Sequence, residues 1–325
     1  MVLSTILCTM STFCMVSGGP TVVREQMTYA ERLGWPMGTK VVILHVDDAG
    51  MSYDSDQGAI KALEGGVATS TSVMMPCPWV PHIAAYLKDH PQTDAGLHLT
   101  LTSEWDNYRW GPLVGQPAAP GLVDPQGYLW PTVEDVLNHA TVEEFEKEIR
   151  AQIDKAQAVG ITPTHLDSHM GTCFYEPFIE AYVKVGIEKK IPILIIGGHM
   201  QHAGPELGKR KLLKVLLNAM AERVWNAGLP VIDDLVRQPT NAQEYEPRKQ
   251  QLLKLLAELR PGITEIIVHC TAPTEVFAQI SGSGKAREAE LRLMLDPEIR
   301  SFIKKQGIVL TTWRELKQHR DAVGQ

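Results

Sequence analysis

The chain has 325 residues, 44% of them hydrophobic and 21% charged, with a formal net charge of −7. A chain of that length buries a sizeable core, and that composition excludes disorder as the main state. The negative balance, with no Lys/Arg stripe interleaved with aromatics, excludes nucleic acid as the expected partner.

Taken in chain order, the first 23 residues carry no charge, and Val2 to Val16 is mostly apolar before Ser17, Gly18 and Gly19. Residues 1–24 read as an export leader without the usual basic start, or as a disordered extension. Export is the expectation in the first case and a cytoplasmic location in the second. The stretch is too short and too rich in Ser and Thr for a stable membrane span. Residues 25–325 show no break in composition and read as a single domain.

Within that domain the pattern is strand then helix, repeatedly. Candidate strands are Val41–Val46, Val67–Met75, Ala95–Leu101, Thr162–Asp167, Pro192–Ile196, Pro230–Ile232, Ile263–His269 and Gly307–Thr311. A helix is predicted over Tyr53–Leu63, with Gly65 and Gly66 suited to a left-handed cap. Thr141 and Glu144 form a capping box for a helix running to Ala158 and ending at Gly160. Leucines at amphipathic spacing mark Lys211–Trp225 and Arg248–Leu259 as core-packing helices. Alternation of this kind predicts parallel strands with right-handed crossovers, and so many strands point to a barrel. The Trp-, Gly- and Pro-rich stretch 103–130 reads as an insertion over the face where the strands end.

The five cysteines include no CxxC pair, so neither a zinc ribbon nor a disulfide framework is expected. Cys270 directly follows His269, but nothing in the sequence marks its thiol as activated.

The chemistry gathers at strand ends. Asp47 and Asp48 close the first apolar run, and His98 and His169 follow two others. Parallel strands of a barrel all finish at one face, so these groups are expected to converge. One carboxylate and two imidazoles hold a divalent cation with positions left open, while a second carboxylate takes a proton from water. Gly50 offers the freedom to aim both aspartates inward. In extended backbone His165, Asp167 and His169 share one side, which leaves His165 or Asp167 to orient the site or touch substrate while His169 reaches the ion.

Five segments, HVDDAGMS at 45–52, GGVATSTSVM at 65–74, AGLHLTLT at 95–102, THLDSH at 164–169 and EIIVHC at 265–270, resemble in order and spacing the YdjC-like carbohydrate deacetylases. The resemblance runs from about Lys40 onward. It implies a distorted, TIM-like (β/α) barrel, mostly of parallel strands, that removes acetyl groups from N-acetylated sugars. By motif match it makes Asp48, His98 and His169 the ligands of one divalent metal ion, zinc or magnesium. Asp47 becomes the general base and His269 the acid that protonates the leaving amine. The chain departs from the family pattern with His45 where Asn is common, Ala49 where Phe is common, and His169-Met170-Gly171 where several histidines run together. The family's His-Pro-Gly becomes His269-Cys270-Thr271.

Trp105, Tyr108 and Trp110 fit a sugar substrate, because rings stack on the apolar faces of pyranoses. Their alternative role is to pin the long loop. Three rivals stand beside the deacetylase reading: a ferrous-iron oxygenase, a hydrolase of another amide, and a carbohydrate-binding protein with an idle site. A homodimer is compatible with the sequence and not indicated by it.

Overall fold

A computed structural model describes residues 27–203, 211–242 and 244–324. The leader expected over 1–24 lies outside the described residues. The sheet is built on β1 (Lys40–Ala49), nine of whose ten residues are buried. Its run of Val, Ile and Leu suits a central strand covered on both faces. It pairs in parallel with β2 (Ser70–Val73) on one side and β6 (Gly262–Val268) on the other. Beyond β2 come β3 (Ala95–Leu99) and β4 (Leu166–Ser168), and beyond β6 comes β5 (Asp234–Val236). A two-residue strand, β7 (Val309–Leu310), pairs with Val41 and Val42 at the base of β1. Every recorded ladder is parallel, as the alternation with helices predicts.

Six of the expected strands shrink or break up, Ala95–Leu101 to β3 and Gly307–Thr311 to β7 among them. Val67–Met75 contracts to β2, and Thr162–Asp167 shifts to β4 because Thr164 only hydrogen-bonds the start of β3 through its backbone. Pro192–Ile196 and Pro230–Ile232 form isolated bridges, Leu166 to Ile193 and Ile196 to Ile232. Those bridges still curl the sheet round. Leu194 N–H donates to Leu166 O at 2.8 Å, and Gly197 N–H to Ile232 O at 3.0 Å, which links β4 to the β5 side. The result is a distorted (β/α) barrel.

The helix over Tyr53–Gly65 is capped by Ser52, whose hydroxyl accepts the Ser55 N–H at 3.1 Å. Its end corrects one expectation: Gly66 has φ −96 and is extended, not left-handed. Glycine is needed there for space, since a Cβ would lie 2.3 Å from Ala62 O and 2.8 Å from Met294 O. The Thr141 capping box is present, and helix Val142–Ala158 buries Phe145, Ile149 and Ile153, a stripe at helical spacing. Phe145 stacks on Phe178 with centroids 4.5 Å apart. Truncating Phe145 to Ala would cost about 3–5 kcal/mol.

Two buried polar residues of that helix anchor the chain above the strand ends. Glu148 accepts the Leu113 and Val114 N–H groups, each at 3.1 Å, and the Gln152 amide bridges both polar groups of the Thr100 backbone. The 103–130 stretch is therefore a fixed wall, tied further by Trp110 Nε1 to Thr102 O at 2.9 Å and Arg109 to Asp124 at 2.8 Å.

Candidate metal centre

The two adjacent aspartates reach the same imidazole because β1 bulges at its end. Val46 pairs with Thr71 and Ala49 with Val73, so three steps along β1 match two along β2. Asp48 itself takes the left-handed conformation, φ 68, which Asp tolerates better than most residues. The sequence assigned that freedom to Gly50 alone; Gly50 is also left-handed, at φ 83, but the strained residue is the aspartate.

Asp48 Oδ1 lies 3.5 Å from His98 Nε2 and 3.4 Å from His169 Nδ1, and all three residues are buried. This oxygen has no hydrogen-bond partner. Such spacing is long for a hydrogen bond and matches ligand atoms sharing a cation at roughly 2.0–2.2 Å each. The residues thus fit a metal ion. The other oxygen, Oδ2, receives Arg287 Nη1 at 2.6 Å. Burial alone would raise the Asp48 pKa, but the Arg287 guanidinium and His169 hold it well below the usual carboxylate range.

Each imidazole has a carboxylate behind it, the arrangement that fixes metal-binding histidines. His98 Nδ1 is 2.7 Å from Asp167 Oδ1, and His169 Nε2 is 3.0 Å from Glu104 Oε2. Burial opposes protonation of both rings. The carboxylates around them prevail, raising His98 and pushing His169 up to about 10.

Asp47 Oδ2 stands 3.6 Å from His98 Nε2 and 3.8 Å from His269 Nε2. His269, at the end of β6, keeps a third of its side chain exposed. Burial would lower its pKa, but Glu290 raises it: Glu290 Oε2 lies 3.7 Å from His269 Nδ1 and accepts the His269 backbone N–H at 2.6 Å. Arg287 and Glu290 lie three apart on helix Gly284–Leu295, one serving Asp48 and the other His269. Sequence reasoning missed both, since i, i+3 opposite charges on a helix read as an ordinary solvated pair.

Beneath this layer lies a second one. His45 Nε2 is 3.2 Å from Asp47 Oδ1, 3.0 Å from Asp167 Oδ2 and 3.0 Å from Ser72 Oγ, while its Nδ1 faces Glu265 Oε1 at 3.8 Å. The Glu265 carboxyl is fully buried, which with Asp167 and Asp47 pushes its pKa up to about 8 against the opposing effect of His45. Burial disfavours charge on His45, yet Glu265, Asp167 and Asp47 raise it well above the usual range. His165 Nε2 is 3.7 Å from Asp167 Oδ2, and its ring stacks on Trp313 with centroids 5.2 Å apart. Gly96 makes room for that ring, because a Cβ there would meet it at 2.4 Å.

The expected ligands and proton-transfer groups, Asp47, Asp48, His98, His169 and His269, are thus drawn together. The expected substrate contacts are less so. His165 and Asp167 are buried, and their positions suit orienting His45 and His98 better than touching a ligand. Trp110 is 4% exposed with its indole N–H bonded inside the loop, so it pins the loop; Trp105 is half-buried, its ring edge-on to Trp110 at 5.5 Å. Cys270 is buried, and burial and Glu290 keep its thiol well above the usual range, so it is no activated nucleophile. Among the described residues no helix is long and apolar enough to cross a membrane.

Comparison with known proteins gives a consistent picture. The family model described as YdjC-like protein matches residues 41–305. A carbohydrate deacetylase of Thermoanaerobacter pseudethanolicus is 27% identical over 278 residues, covering 86% of this chain and 100% of the relative. A chitooligosaccharide deacetylase of Yersinia enterocolitica is 29% identical over 290 residues, covering 85% and 99%. Among solved structures, an Enterococcus faecalis protein provisionally named for cellobiose-phosphate cleavage aligns with a TM-score of 0.71 at 23% identity, covering 86% of this chain and 99% of that one. That likeness speaks for the fold.

Proposed function

This chain belongs to the YdjC-like family, and on that footing we propose that it is a metal-dependent hydrolase removing the acetyl group from an N-acetylated carbohydrate of the N-acetylglucosamine type. The observation that carries the reading is the Asp48, His98 and His169 cluster, with an unpartnered carboxylate oxygen at its centre and Asp47 alongside. The names borne by full-length relatives supply the substrate class.

Asp48, His98 and His169 would hold one divalent cation, and two imidazoles with one carboxylate favour zinc over magnesium. Bound there, the ion supplies Lewis acidity that polarises the acetamide carbonyl and acidifies water. The remaining work falls to the chain. Asp47 takes the proton of a water whose oxygen attacks the acetyl carbon. His269, protonated through its contact with Glu290, gives a proton to the sugar nitrogen as the C–N bond breaks. The products are acetate and a free amine. Glu104 and Asp167 keep the two imidazoles aimed, and Arg287 keeps Asp48 ionised.

The test is acetate release from N-acetylglucosamine oligomers with and without a chelator. Chelator-sensitive acetate supports the reading. Binding without any acetate release would turn it into a lectin-like protein, and a different acid product would change the amide.

A further inference from the structure

Among the described residues, the exposed large aromatic side chains are Tyr53, Trp79 and Tyr128. Arg109 already lies over the Tyr128 ring, with its guanidinium carbon 5.2 Å from the centroid. Tyr53 and Trp79 lie against each other instead, centroids 5.2 Å apart, with 44% and 40% of their surfaces exposed. His82 completes the group, edge-on to Tyr53 at 5.2 Å and to Trp79 at 6.0 Å.

This patch is tied to the turn that follows the metal-centre aspartates. Tyr53 opens the helix after β1, and Trp79 and His82 begin helix Val80–Asp89 after β2. Helices that follow parallel barrel strands start on the face where those strands finish, which is also where Asp47 and Asp48 lie. The Trp79 N–H donates to Gly50 O at 3.1 Å. Buried Asp56 ties the rest, accepting the Gly50 N–H at 2.6 Å through Oδ1 and lying 2.8 Å from His82 Nδ1 through Oδ2. The turn that carries the aspartates and the aromatic patch are therefore one rigid unit. Little ordering is left to be done when a ligand arrives.

We propose that Tyr53, Trp79 and His82 form a sugar platform, on which the pyranose unit next to the one bearing the reacting acetamide stacks its apolar face. The proposal rests on the deacetylase reading and deepens it: the substrate is an oligosaccharide, and chain-length preference comes from the β1 and β2 loops. The Trp-rich stretch, whose Trp110 is buried, serves as wall. Exposed aromatic rings suit this role because they can stack on the apolar face of a pyranose, while hydroxyls are left to solvent and rim groups.

The experiment compares kcat/KM for N-acetylglucosamine and for tri-N-acetylchitotriose. In Trp79→Ala the ratio of trimer to monomer should fall about 5- to 20-fold, mainly through KM for the trimer, as expected for one lost stacking contact. Trp79→Phe should restore most of the ratio, which a folding defect would not. An unchanged ratio, with loss on both substrates alike or on neither, overturns the platform. Should the wild-type protein release no acetate from any oligomer, the deacetylase reading fails separately. The platform is then read by calorimetric binding of tri-N-acetylchitotriose to Asp47→Asn protein: Trp79→Ala in that background should weaken binding to a similar extent, and equal affinity overturns it.

Discussion

The two layers of the site use the same residue types, are buried alike, and differ in what borders them: the upper meets the partly exposed side chains of His269 and Glu104, the lower only buried groups. In the upper layer, Asp48 Oδ1 lies 3.5 Å from His98 Nε2 and 3.4 Å from His169 Nδ1 and accepts no hydrogen bond. In the lower layer, His45 lies 3.0–3.2 Å from Asp47, Asp167 and Ser72, enclosed on every side. Imidazoles and carboxylates beside a partly exposed group can bind an ion or move a proton to substrate. The same groups with only buried neighbours are placed to orient those above, so what borders a group, not its residue type, sets the division of labour.

The strongest test of that contrast removes an upper-layer ligand. His98→Ala or His169→Ala should lose both the bound metal and the activity, and elemental analysis showing one metal ion per chain in either variant would reject the assignment. Next comes Asp47→Asn, which should keep the metal and lose turnover by roughly 100- to 10,000-fold; full activity there would remove Asp47 as the base. A smaller effect is expected one step out. Glu104→Gln and Asp167→Asn should each cost roughly 10- to 100-fold in metal affinity or activity, read by competition with a chelator.

The smallest effect belongs to the lower layer. The Glu265 carboxyl holds its proton in the fold up to a pKa of about 8, against 4.5 for the ordinary group. Between those values the folded state binds the proton that the unfolded state has released, so stability falls as pH rises through this window. Glu265→Gln should flatten that part of the profile of Tm against pH, with the metal retained. An unaltered slope would show that Glu265 is not protonated in the fold.

Much of the upper layer was legible because its residues end apolar runs, and parallel strands bring their ends together. Asp47, Asp48, His98, His169 and His269 all carry that signal. His45 does not: it sits inside the run Val41–Val46, where alternation says only that one face is shared, and nothing local reveals Glu265 three residues into another strand. Arg287 and Glu290 were hidden for a different reason, since their helix docks on the site through tertiary packing. The bulge that turns both aspartates inward is likewise a property of the pairing with β2 and leaves no mark in the sequence of β1 alone. Short strands were misjudged where Pro192 and Pro230 begin apolar runs that make bridges without ladders.

The pairing of β1 has a consequence for biosynthesis. This strand leaves the ribosome before any other in the sheet, yet Lys40 pairs with Gly262 and Val41 with Val309. Its hydrophobic length must wait, unpaired on one side, while most of the chain is translated, and ring closure among such distant segments is slow. The nascent chain therefore keeps one edge of a buried, apolar strand unpaired through most of translation, the kind of exposure that invites misassociation before folding completes.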